Sequence, residues 1–119
     1  MIMDFNIDYD NRKFRSKSNS DSGEVDSETV FHYSQKGNVL TASYAGGQVS
    51  LGQMLGVVKR SGEIRFNYQH INTDGQLRSG SCVSTPEILD SGAILLHEVW
   101  QWMDGNQEKG KSTVEEILN

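Results

Sequence analysis

From Glu28 onward, glycine returns at short intervals, and each return falls between two runs of alternating, β-branched or aromatic residues. Glu28–Gln35 is followed by Lys36-Gly37-Asn38, Val39–Ala45 by Gly46-Gly47, and Gln48–Lys59 by Arg60-Ser61-Gly62. Glu63–Ile71 runs into Asn72-Thr73-Asp74-Gly75, and Gln76–Ser84 completes that hairpin. Runs this short, separated by glycine turns, exclude a helical bundle and specify successive antiparallel strands. A flat meander of that size would leave two long edges exposed, so the pattern predicts a sheet that curls until it closes or nearly closes. The expected fold is all-β: an antiparallel meander of seven to eight strands forming a small barrel.

Within this frame Glu63–Ile71 alternates cleanly, with Ile64, Phe66, Tyr68 and His70 on one face and Arg65, Asn67 and Gln69 on the other. A two-residue Asp-Gly turn would set His70 opposite Ser79 and Tyr68 opposite Ser81. Gly52 and Gly56, inside the longest strand, suggest a bend or bulge. Ser84-Thr85-Pro86-Glu87 reads as a one-turn helix start, with proline at its first position. Lys111–Leu118 fits either a short helix, through a capping-box pattern at Ser112–Glu115, or a closing strand.

Before Glu28 the signal is weaker. Residues 1–11 read as a loose leader whose apolar members, Met1, Ile2, Phe5, Ile7 and Tyr9, pack on the outside of the domain. Arg12–Ser18 is a first strand at an edge or seam, its basic residues solvated. Ser18–Ser27 is rich in turn formers and reads as a solvated loop. Asp21, Glu24 and Asp26 within it lack the ligand spacing and closing glutamate of a calcium loop.

The chain of 119 residues is expected to form one barrel domain over 1–119. Its net charge of −5, with basic residues scattered, argues against a nucleic-acid partner. No segment approaches the length of a membrane span, and the N-terminus lacks the basic start and apolar stretch of a secretory signal. A single cysteine, Cys82, excludes an intrachain disulfide framework and fits the cytoplasm.

The longest apolar run, Ala93–Met103, holds both tryptophans. Read as a strand, it places Ile94, Leu96, Glu98, Trp100 and Trp102 on one face and Ala93, Leu95, His97, Val99, Gln101 and Met103 on the other. His97 and Glu98 are therefore no catalytic couple, because neighbours in a strand point to opposite sides.

Three stretches, FHYSQKGNVLTASYAGG from Phe31, Gly80–Leu89, and LHEVWQW at Leu96–Trp102, resemble a family of small, mostly uncharacterised bacterial proteins. Members often carry the label N-acetylglutamate synthase. For the fold, the resemblance implies a calycin-like barrel of lipocalin or avidin architecture. For activity, the label would require a helix N-terminus to cradle the pyrophosphate of acetyl-CoA, and the chain has no strand-to-helix glycine turn to supply one.

A small barrel is either filled by its own side chains or holds one small ligand. The candidate interior site is Phe66, Tyr68 and His70 from one strand with Glu98, Trp100 and Trp102 from another. In a filled barrel, Glu98 would be satisfied by Tyr68, His70 or Arg78. A zinc site from His32, His70 and His97 is disfavoured by parity, and a Cys82 nucleophile lacks an activating group nearby. These residues predict no metal and no cofactor, and they favour a binder of a small, partly apolar ligand over an enzyme using Glu98 with His70 or His97, which stays open as a distant third reading. The competing expectation is a homodimer formed through an outer patch of Ala93, Leu95, Val99 and Met103, around a filled core.

Overall fold

A computed structural model describes residues 7–118. Eight strands form a closed barrel in chain order, every neighbour antiparallel: β1 (Lys13–Asn19), β2 (Val30–Lys36), β3 (Val39–Gly46), β4 (Val49–Val58), β5 (Ile64–Asn72), β6 (Leu77–Ile88), β7 (Ile94–Trp102) and β8 (Lys109–Glu116). No helix long and apolar enough to cross a membrane occurs among the described residues. The barrel closes where β8 pairs with β1, Phe14 opposite Glu116 and Ser16 opposite Val114. Lys111–Leu118 thus takes the strand alternative through Glu116, and Ser112, Val114 and Glu116 point inward with a period of two. The helical spacing of Val114, Ile117 and Leu118 loses because a strand here satisfies both neighbouring edges.

Four expectations are corrected. Ser84–Glu87 is not a helix start, since β6 runs through it to Ile88 with Pro86 opposite Leu96. Past Ser84 the strand overhangs β5 and has only β7 as a ladder partner, a stretch with one open side where proline is tolerated. The β5–β6 register also differs: His70 faces Arg78 and Tyr68 faces Gly80. The cause is the turn. Asn72 Oδ1 accepts from the backbone N–H of Asp74 and of Gln76, and Gly75 takes φ 77°, giving a three-residue loop instead of two.

The bulge expected at Gly52 and Gly56 is corrected in part: the ladders of β4 slip just before Gly52, between Val49 and Leu51 towards β5 and between Val49 and Gly52 towards β3, and none slips at Gly56, so both glycines serve something more. Their role is room. Inside the barrel each of four glycines faces an aromatic partner across the ladder: Gly52 faces Tyr44, Gly56 faces Phe66, Gly80 faces Tyr68 and Gly110 faces Trp100. A Cβ at Gly52, Gly80 or Gly110 would fall on the partner ring, and one at Gly56 would meet Phe66 Cβ and the Arg65 carbonyl.

Tyr9 is the fourth correction. It is 0 % exposed, inside the end of the barrel opposite the β1–β2 loop. Its ring lies 6.4 Å from Phe14 and 6.2 Å from Tyr33, and its hydroxyl donates to the Gly62 carbonyl at 2.6 Å. An aromatic ring has more to gain from an open barrel end than from the outer wall. The rest of the proposed leader through Asn6 lies outside the described residues.

Candidate ligand cavity and its lid

Period-two alternation divides the interior into two zones. Tyr9, Phe14, Tyr33, Leu40, Ile64, Leu96 and Val114 pack one end solid. Towards the other end the inward side chains become polar and aromatic, and they leave a cavity of about 50 Å³. All six residues of the candidate site, Phe66, Tyr68, His70, Glu98, Trp100 and Trp102, lie on its wall, with Tyr44, Met54 and Ser112 beside them. The two indoles stand edge to face at 5.7 Å, and Trp102 meets Tyr68 in the same way at 5.6 Å.

Glu98 sits one step deeper than Trp100 on the same face of β7. Its two oxygens accept from the hydroxyls of Ser84 at 2.7 Å and Ser112 at 3.0 Å. Neither Tyr68, His70 nor Arg78, the partners expected in a filled core, reaches it. Burial pushes its carboxyl above the ordinary glutamate range, and the two hydroxyls offset this in part. Burial likewise pushes the Cys82 thiol far up, which disfavours the thiolate. Two other buried hydroxyls, those of Ser16 and Tyr33, make no hydrogen bond within the described residues.

The β1–β2 connection closes the polar end. It was expected to be a solvated loop, but its middle is folded onto the barrel mouth. Trp102 Nε1 donates to the Ser22 carbonyl at 3.1 Å, and Val25 packs against the core. At the end of β1, Asn19 Oδ1 accepts from Trp100 Nε1 at 3.0 Å while its amide donates to the Val25 carbonyl. Glu24 carries the main tie. Its carboxylate accepts from His70 Nε2 at 2.8 Å, Asn72 Nδ2 at 3.1 Å and Arg78 Nη1 at 2.8 Å. Arg78 lies 4.0 Å over the Trp102 ring and is held from behind by Asp104, whose Oδ1 accepts from Nε at 3.0 Å. On the far side of His70, the Tyr44 hydroxyl meets Nδ1 at 2.9 Å.

A barrel of eight sequential strands with one packed end and one lidded, aromatic end is an architecture that belongs to a recognisable group of proteins. A family model described as avidin-like protein matches residues 7–117. The chain belongs to the avidin-like family. Comparison with curated proteins and with solved structures found no match.

In this avidin-like barrel, three site residues carry no clear mark in the sequence. Glu24 lies in a polar loop, and the nearest signal was Val25, an apolar residue that a fully solvated loop has no use for. Asn72 looks like an ordinary turn former, and it does close the turn while its amide also faces Glu24. Tyr44 ends a strand and reads simply as core. The remaining histidines are apart from the site: His32 is exposed, and His97 pairs with Glu87 on the outer wall at 2.7 Å. No cluster of three or more metal-ligating side chains occurs among the described residues.

The lid should respond to acid in one direction. Burial alone would raise the Glu24 carboxyl, but the hydrogen bonds from His70 and Asn72 and the charge of Arg78 outweigh it and hold Glu24 below the ordinary range. A carboxylate depressed in the folded state contributes stability above its unfolded value, about 4.3, and loses it as pH falls through the lower folded value. The lid is therefore expected to stay shut at neutral pH and to loosen only in strong acid. Acrylamide quenching of the two tryptophans, flat from pH 7 to about 5 and rising below about 4, would report this. The same rise at pH 6 would show that Glu24 is not the tie.

Proposed function

We propose that the barrel is a non-enzymatic binder of a small, partly apolar molecule held in its interior between the aromatic wall and Glu98. The observation that carries this reading is a cavity walled by aromatic rings, with one poorly compensated acid set into it. Two hydroxyls and no cation serve Glu98. Burial favours the protonated form of this carboxyl, and a protonated carboxyl can donate as well as accept, which would suit the neutral polar group of a ligand. Membership of the avidin-like family supports it as well.

At about 50 Å³ the closed cavity has room for water or a very small fragment, well short of the roughly 300 Å³ at which small-molecule pockets begin. Occupancy by a metabolite thus requires the β1–β2 lid to lift. Tryptophan fluorescence against a metabolite library tests the proposal directly, because both indoles line the cavity. A hit should quench both, and Glu98→Gln, which keeps the shape but removes the acid, should weaken a ligand with a polar head by about tenfold, the worth of one hydrogen bond to a charged or strongly polar group. No quenching across the library, together with native mass spectra of host-purified protein free of any added mass, would sink it.

A second reading rests on the outer wall, where Leu51, Leu55, Val57 and Val99 are exposed, Leu55 at 63 %. Val39 and Val57 are direct neighbours there, as are Val83 and Val99. Such a surface suits a homodimer joined through its sheet. The patch differs from the one expected, since Val99 and Met103 are exposed but Ala93 is buried. A monomeric mass by light scattering at micromolar concentration removes this reading.

A further inference from the structure

We propose that His70, Asn72 and Arg78 form a receptor at the barrel mouth for the carboxylate of a small-molecule ligand, a seat that Glu24 fills when the lid is shut. The proposal rests on the barrel-interior reading and adds to it the class of ligand and the way the ligand enters.

The receptor is part of the wall. His70 and Asn72 end β5, and Arg78, opposite His70, begins β6. Each is fixed from behind by something other than Glu24. Arg78 is held by Asp104 and stacked on Trp102. Asn72 is anchored by its own turn. The tautomer of His70 follows from its neighbours. A carboxylate can only accept, so Nε2 carries the proton shared with Glu24, while Nδ1 on the other side of the ring is hydrogen-bonded to the Tyr44 hydroxyl. The donors would therefore keep their geometry with Glu24 withdrawn.

The guest is of a different kind. Glu24 comes from a connection of turn-forming residues, with Val25 its one apolar residue packed on the core. It is a connection without ladder hydrogen bonds of its own, and local opening is drawn from such segments. A seat built into a rigid wall and filled by a removable acid is the arrangement expected where an outside acid competes with an inside one.

Charge narrows the ligand class. Asp104 already neutralises much of Arg78, so the seat suits one planar monoanion better than a dianion such as phosphate. The cavity then sets the rest: with the carboxylate at the mouth, the remainder of the molecule lies between Trp100, Trp102, Phe66 and Tyr68 and is mainly apolar, any neutral polar group it carries facing Glu98. The ligand is thus a small monocarboxylic acid with an apolar or aromatic body, and it enters by displacing Glu24.

The test uses 3-phenylpropionate and its uncharged isostere 3-phenylpropanamide at neutral pH, read by tryptophan fluorescence, on the full chain and on Glu24→Ala. Vacating the seat should tighten the acid by about tenfold, in keeping with a charge-assisted contact, and leave the amide within about twofold. Adding Arg78→Gln to Glu24→Ala should abolish that preference, and Asn72→Ala in the same background should reduce it if the arginine variant does not fold. An equal gain for acid and amide would overturn the receptor, making Glu24 a steric tie, while leaving the barrel-interior reading in place. Failure of both probes to bind a folded Glu24→Ala protein would instead count against the interior site itself, and the receptor would fall with it.

Discussion

Tyr9→Ala is expected to cost about 3–5 kcal/mol, the range for removing a fully buried aromatic side chain. Against a total stability of roughly 5–15 kcal/mol, that is enough to leave a large fraction of the protein unfolded at moderate temperature. The size of the effect follows from position. Tyr9 precedes the first strand, yet it fills the packed end of the barrel against Phe14 and Tyr33. Its backbone N–H also donates to the Gln35 side chain at 2.9 Å. Tyr9→Phe keeps the ring and loses the bond to Gly62, so it should cost about 1 kcal/mol. Urea unfolding of the two variants separates packing from hydrogen bonding. A loss below about 1 kcal/mol for the alanine variant would mean that the segment before β1 is an appendage and not the floor of the barrel.

The second large effect is expected at Gly110, the cross-strand partner of Trp100. A side chain there would intrude on the indole, and the ring has nowhere to go but into the cavity. Gly110→Val should destabilise by about 1–3 kcal/mol or more, as overpacking of a well-filled interior does. It should also break the Trp100 bond to Asn19 and shift the tryptophan emission. The decisive form is a double-mutant cycle of Gly110→Ala with Trp100→Phe. The smaller ring should tolerate the added methyl, giving a favourable coupling above about 0.5 kcal/mol. Strict additivity would show that glycine is there for a reason other than the ring.

The same pairing explains what the sequence could and could not disclose. Alternation alone orders the strands, and it assigns Glu98, Trp100 and Trp102 to one face and His97 to the other, because a period of two leaves no third choice. Phe66, Tyr68 and His70 follow by the same rule. The glycines of β4 are only half legible, since glycine in a strand has two physical uses, bending and making room: the ladders slip beside Gly52 but not at Gly56, and both make room for what stands across the ladder. The β5–β6 register was missed by one residue because an Asn72 side chain bonding into its own turn adds a residue to the loop. Glu24 was out of reach for a stronger reason. Its partners lie 46 to 54 residues away, and a loop has no periodicity from which to read where a side chain points. Tyr9 is the same case, its hydroxyl bond spanning 53 residues.

The seam between β1 and β8 sets the terms on which the protein can be made. Its side-chain contacts join residues about a hundred positions apart, such as Arg12 with Glu116 and Lys17 with Glu115. A ribosome therefore releases β1 long before its second neighbour exists, and the nascent chain carries an open sheet edge until β8 has emerged. Lys13, Arg15 and Lys17 point outward along that edge, and like charges on an unpaired strand discourage it from pairing with the strand of another chain. Slow, long-range closure, which has to wait for β8, is the price of a barrel without edges, and the basic residues of β1 guard the interval.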